Sequence, residues 1–184
     1  MGFCLLLAWF VQANGAELLL IILSAAILHE LGHCAVLWGL GGTVRTLQLS
    51  VFGALMETDS RRLSYGGEAA AVLAGPLANL LAAMLCSGAE MPVCRIFAGA
   101  NLVLCLFNLL PVRPLDGGRA LELLVSRTWG EQAGERAARI VGGSVSLILS
   151  LLLLWLVGYT GGSLWLLPAA AGLGAAAWRE WCGK

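Results

Sequence analysis

Charge is scarce in this chain. Asp, Glu, Lys and Arg make up 12% of its 184 residues, against about 25% in soluble domains. Their signs cancel to a formal net charge of zero, which leaves nucleic acid without electrostatic attraction. No long polar stretch remains from which to build a second domain, and there is no repeat or low-complexity tail. The six cysteines include no CxxC pair and mostly lie in apolar runs, so they read as buried free thiols. Cys86 and Cys94 flank a short polar loop and form the one pair placed to join on an oxidising side. Histidine occurs twice, both times inside "LHELGHC" at 28–34.

What is abundant is hydrocarbon. Hydrophobic residues reach 59%, with a mean hydropathy of +0.86, and the chain reads as an all-α integral membrane bundle forming a single domain over 1–184. A spanning helix needs about 20 apolar residues. Runs at about 16–40, 68–87, 93–112 and 138–158 meet or approach that length, and a small-residue run at 163–178 ("PAAAGLGAAAW") suits close helix packing. Residues 1–13 would rise only about 20 Å as a helix, so this first run is expected to be a short or truncated span, and it has no basic region of the signal-peptide kind. Counting it gives about six crossings. With the 41–67 loop on the cytoplasmic side, ten of the eleven Lys and Arg residues fall on or near that side and Arg95 alone falls opposite. Such asymmetry places both termini in the cytoplasm.

Between the first two long runs, Val44, Leu47, Leu49 and Val51 alternate with smaller or polar residues, and Gly53 interrupts the stretch. A short strand or hairpin at the membrane surface near 44–58 is expected. "RALELLVSRTWGEQAGERAAR" reads as a continued helical end followed by an amphipathic, solvated connection. Trp9, Trp38, Trp178 and Trp181 lie near span ends, as interfacial anchors do.

His29, Glu30 and His33 are costly in hydrocarbon unless something satisfies them, and ionisable residues within spans are functional by default. Residues four apart lie on one helical face, so the two imidazoles can grip one divalent ion. Glu30 sits about 100° round the helix from His29, within reach of an activated water. This is the HExxH arrangement of two ligands and a general base. A catalytic zinc has three protein ligands and an open position; with no further histidine, Cys34, Cys105, Glu68 and Asp116 are the candidates. Cys34 points about 100° away from His33. Asp116 follows a run broken by Pro111 and Pro114 and lies about ten residues before the cytoplasmic end near Arg127, a depth that matches His33. It reads equally well as the Asp of a tight "PLDGGR" turn satisfied by backbone amides.

"HELGH" at 29–33, "AGPLAN" at 74–79 and "FNLLPVRPLDGG" at 107–118, in that order, resemble the site-2 protease family of intramembrane zinc metalloproteases. The resemblance covers the core from about 20 to 125. It implies one zinc ion per chain on His29, His33 and Asp116, with Glu30 as general base. It also implies that Asn108, Pro111 and Pro114 shape the substrate groove, and that the 47–55 region with Gly53 offers a strand edge to an unwound substrate. Asn79 is read either as part of a small-residue packing motif or as a hydrogen-bonding group near the cavity. The layout and "FGALMETD" look most like the sporulation branch, which cleaves a membrane-associated pro-sigma factor, although no CBS domain follows "WREWCGK". The catalytic core is expected over about 16–126 and further helices over about 138–178.

The expected activity is therefore zinc-dependent endopeptidase cleavage in or beside a transmembrane segment of a membrane-bound substrate. The active site is expected to open toward the cytoplasm. Expected partners are that membrane-protein substrate, the bilayer and an inhibitory membrane protein. A catalytically silent regulator would be expected to have lost a ligand or the base. A metal transporter would carry polar residues through several spans.

Overall fold

The computed structural model describes residues 15–50, 53–59, 63–160 and 166–182, together with residue 12. Among them are six helices and two strands: α1 (Ala16–Gly39), β1 (Thr43–Ser50), β2 (Gly53–Asp59), α2 (Tyr65–Ser87), α3 (Pro92–Asn108), α4 (Asp116–Trp129), α5 (Glu131–Thr160) and α6 (Leu166–Cys182). The short first crossing expected at 1–13 lies outside the described residues. The chain divides into two compact units after Asn108.

In the first unit, α1, α2 and α3 pack against one another. Helix α1 buries Ile21, Ala25, His29 and Leu37, which recur every four or eight residues on one stripe. Helix α2 answers with small residues, Ala69, Ala71, Ala74, Gly75 and Ala83, which let the backbones approach closely. The outside is the apolar part: Leu81, Leu85 and Met84 of α2 and Leu20, Ile27 and Leu31 of α1 are all exposed, Leu85 by 82%. Inside lie amides and an imidazole, with Asn79 and Asn101 at 0% and His29 at 6% exposure. Large aliphatic residues outside and polar groups inside invert the soluble arrangement, and they suit a hydrocarbon solvent in which polar groups must be satisfied internally.

Helix α1 stops through a Schellman motif. Gly41 takes φ 76°, a conformation glycine adopts without a Cβ penalty. Its N–H donates to the Trp38 carbonyl at 3.0 Å, and the Gly42 N–H donates to Leu37 at 2.9 Å. Strands β1 and β2 then pair antiparallel, with Ser50 opposite Gly53, Leu47 opposite Met56 and Thr43 opposite Asp59, and one register irregularity between Val44 and Thr46. Ser64 caps α2 by accepting from the Gly67 N–H at 3.2 Å.

In the second unit, α4 packs on α5 and α5 on α6. The loop at 109–115 folds back over the start of α4: the Leu115 N–H donates to Val112 at 2.8 Å. A Cβ on Gly117 would overlap the Leu109 carbonyl, and one on Gly118 would come within 2.7 Å of the Val112 carbonyl carbon. Arg113 of this loop reaches α6, its Nη2 donating to Glu180 Oε2 at 2.6 Å. Ser150 of α5 donates to the Ala170 carbonyl of α6 at 2.8 Å.

Two expectations about the helices change. The apolar run at 93–112 ends as a helix at Asn108, because residues before a proline are driven out of the α region and Pro111 and Pro114 follow closely. The stretch expected as a solvated connection is helical on both sides of Gly130, whose φ of 87° separates α4 from α5. Among the described residues, α1, α2 and Glu131–Tyr159 of α5 are long and apolar enough to cross a membrane, with α3 shorter but apolar. Helix α6 carries Arg179 and Glu180 in its last turns.

Candidate metal centre

The two histidines stand one turn apart on α1, their rings edge to face with centroids 4.7 Å apart. Each ring is held through Nδ1. His33 Nδ1 lies 2.9 Å from the Ala71 carbonyl, an acceptor, so this nitrogen carries the proton. His29 Nδ1 lies 2.6 Å from Asn79 Oδ1 and donates to it. With Nδ1 protonated on both rings, the two Nε2 atoms present lone pairs, and they face each other at 3.1 Å. In neutral rings with this tautomer both Nε2 atoms are acceptors, an arrangement that a cation between them would stabilise. Two nitrogens bound tetrahedrally to zinc at 2.0–2.1 Å would stand about 3.3 Å apart, so the observed spacing fits an ion of that size.

Helix α2 supplies the supports, and they fall in or just before "AGPLAN". Gly75 faces His33, where a Cβ would overlap the imidazole ring at Nε2. Gly32 of α1 packs as tightly in return, since a Cβ there would lie 2.7 Å from the Ala74 carbonyl oxygen. Pro76 is buried within α2 and has no N–H for the Val72 carbonyl, next along from the Ala71 carbonyl that His33 uses. Asn79, expected either as part of a small-residue packing motif or as a hydrogen-bonding group near the cavity, hydrogen-bonds His29. Its amide also donates to the Ala25 carbonyl at 3.0 Å and to Asn101 Oδ1 at 2.7 Å. Asn101 in turn donates to its own helix at the Phe97 carbonyl, 2.8 Å away. Asn101 escaped the sequence reading; a buried amide in the apolar run "GANLVL" was the available signal.

The remaining site residues are distributed along both units. Glu30 follows His29 on α1 and is half-buried. Gly53 opens β2 opposite Ser50. Asn108 ends α3, its amide donating to the Leu104 carbonyl at 3.0 Å. In the second unit Pro111 is half-buried and Pro114 exposed. Asp116 is the first residue of α4, after the turn rather than within it, where a carboxylate meets the positive end of the helix dipole. Cys34 is half-buried, Cys105 is buried on α3, and Cys86 and Cys94 are free thiols. His29 and His33 of the first unit offer two ring nitrogens that zinc accepts, and Asp116 of the second unit carries a carboxylate of the kind zinc also accepts.

Comparison with known proteins finds similarity to zinc metalloproteases. Residues 88–153 match the model of peptidase family M50. Over 162 residues the chain is 34% identical to a zinc metalloprotease of Mycobacterium tuberculosis, Rip3, covering 80% of this chain and 40% of that protein. It is 28% identical over 145 residues to a zinc metalloprotease of Methanocaldococcus jannaschii, covering 74% of this chain and 42% of the relative. Stage IV sporulation protein FB of Bacillus subtilis is 32% identical over 142 residues, 70% of this chain and 49% of that protein. The chain thus spans half or less of the length of these relatives. The chain is thus similar to peptidase family M50, the site-2 proteases, over residues 88–153, and three of its described helices are long and apolar enough to cross a membrane.

Proposed function

We propose that the chain is an intramembrane zinc metalloprotease that hydrolyses a peptide bond in or next to a transmembrane segment of a membrane-bound protein. The observation that carries this reading is the pair of imidazoles whose Nδ1 atoms are both committed to acceptors while their Nε2 atoms converge at 3.1 Å. His29, His33 and Asp116 hold the zinc in this reading. When bound, zinc supplies a Lewis acid that makes water nucleophilic near neutral pH and polarises a carbonyl. Glu30 takes the proton from the attacking water and delivers it to the leaving amine.

Peptide hydrolysis in a bilayer also requires an unwound substrate, because a helix hides its carbonyls in hydrogen bonds. The β1–β2 ladder offers backbone groups at its edge for an extended segment to pair with. In this reading the ladder lies at the membrane surface with Gly53 at its substrate end, while Asn108, Pro111 and Pro114 shape the groove. The whole chain forms one membrane-embedded protease domain of about six crossings with both termini cytoplasmic. In this reading the substrate is a membrane-associated pro-sigma or anti-sigma factor, as the resemblance to the sporulation branch implies.

The test uses the full chain in nanodiscs. Glu30→Gln is expected to keep one zinc per chain and to lose cleavage of candidate membrane substrates. Cleavage at the wild-type rate would refute the role of Glu30. Zinc flux across liposomes without cleavage would favour a transporter instead, and zinc binding with neither activity a silent regulator.

A further inference from the structure

We infer that Asn101, acting through Asn79, is a positioning residue that fixes the tautomer of His29 and so keeps its Nε2 lone pair available to a metal. The inference rests on the metal reading above but concerns an amide relay that lies wholly within the first unit. Asn79 and Asn101 are both fully buried, and a buried amide is costly unless its donors and acceptors are matched.

The direction of the relay follows from counting donors. The Asn79 NH2 has two hydrogens and meets two acceptors, the Ala25 carbonyl at 3.0 Å and Asn101 Oδ1 at 2.7 Å. Turning the Asn79 amide over would set its oxygen against both acceptors, so the amide is locked with Oδ1 toward His29. Asn101 is oriented the same way: its own NH2 donates to Phe97, leaving its oxygen for Asn79. With Asn79 Oδ1 at 2.6 Å, His29 Nδ1 must be the donor, and in the neutral imidazole the other nitrogen is then the acceptor. Outer partners of this kind commonly set ring orientation and ligand basicity at metal sites.

Without the Asn101 oxygen, Asn79 keeps one of its two acceptors and its amide can turn. The NH2 would then face His29 Nδ1 and favour the tautomer protonated at Nε2, which cannot ligate through that atom. If the two asparagines serve only to hold helices together, the tautomer has no reason to move.

The test compares wild type with Asn101→Leu, Asn101→Ala and Asn101→Asp, as full chains in nanodiscs. In its neutral form the Asp variant still presents a carbonyl to Asn79 and a hydroxyl to Phe97. Two quantities are read: zinc affinity by chelator competition, and the protonation of His29 Nδ1 and Nε2 by nitrogen-15 NMR of the metal-free protein. We expect Leu and Ala to weaken zinc about tenfold, the lower end for outer partners. The proton should also move from Nδ1 toward Nε2, and Asp should restore both readouts. An unchanged tautomer in Leu and Ala overturns the inference, even if zinc affinity falls. If wild type binds no zinc, the metal reading fails, and the tautomer still decides whether the relay exists.

Discussion

The two histidines and Asp116, which the proposed function assigns to one zinc, are placed by opposite means, each within its own unit. His29 and His33 sit on an uninterrupted helix of 24 residues, and side-chain hydrogen bonds from α2 aim them. Asp116 sits where a helix begins, and backbone packing places it: a loop folded onto two glycines and tied to α6 by Arg113. The first design adjusts a ligand by amide orientation and proton position. The second leaves little to adjust, because its closest approaches are between main-chain atoms. The two regions should therefore fail differently when altered.

The largest effect is expected in the second region. Gly117→Ala drives a Cβ into the Leu109 carbonyl, where no flexible side chain can yield. Overpacking costs typically 1–3 kcal/mol, and a backbone clash belongs at about 3 kcal/mol. Thermal unfolding in detergent should show a lowered midpoint, and a wild-type midpoint would contradict the packed-loop account.

Gly75→Ala should instead act on the metal. Its Cβ meets the His33 ring, which can turn aside at modest cost to the fold but loses its alignment. Zinc affinity is expected to fall about 100-fold, in the upper range for outer-partner changes, with the unfolding midpoint nearly unchanged. A lowered midpoint with normal zinc affinity would erase the contrast between the regions.

The smallest effect is expected for Glu180→Ala. Its ion pair with Arg113 is part-exposed, at 16% and 31% for the two side chains, and Arg113 retains Glu122 at 4.0 Å. A loss of about 1 kcal/mol, the upper end for exposed pairs, is expected from denaturant unfolding. A loss as large as that of Gly117→Ala would mean the salt bridge, not the glycine packing, holds the loop.

The histidine region was readable in the sequence because helical period alone decides that residues four apart share a face. A helix break near Pro111 and Pro114 was readable for a similarly local reason, although its position at Asn108 was not. Asp116 was half-readable: depth matched it to His33, but a turn aspartate has the same sequence neighbourhood. The Asn79–Asn101 pair was not readable, since spacing gives the face of a residue and not the residue across from it. Nor was Gly75, whose function lies in the space it leaves for a side chain on another helix.

X-ray absorption at the zinc edge of the purified wild-type protein tests the central claim most directly. One zinc per chain with two imidazole nitrogens at 2.0–2.1 Å and only oxygen among the other ligands is the expected result. A protein that binds no zinc, or a sulfur ligand near 2.3 Å pointing to Cys34 or Cys105, would contradict it.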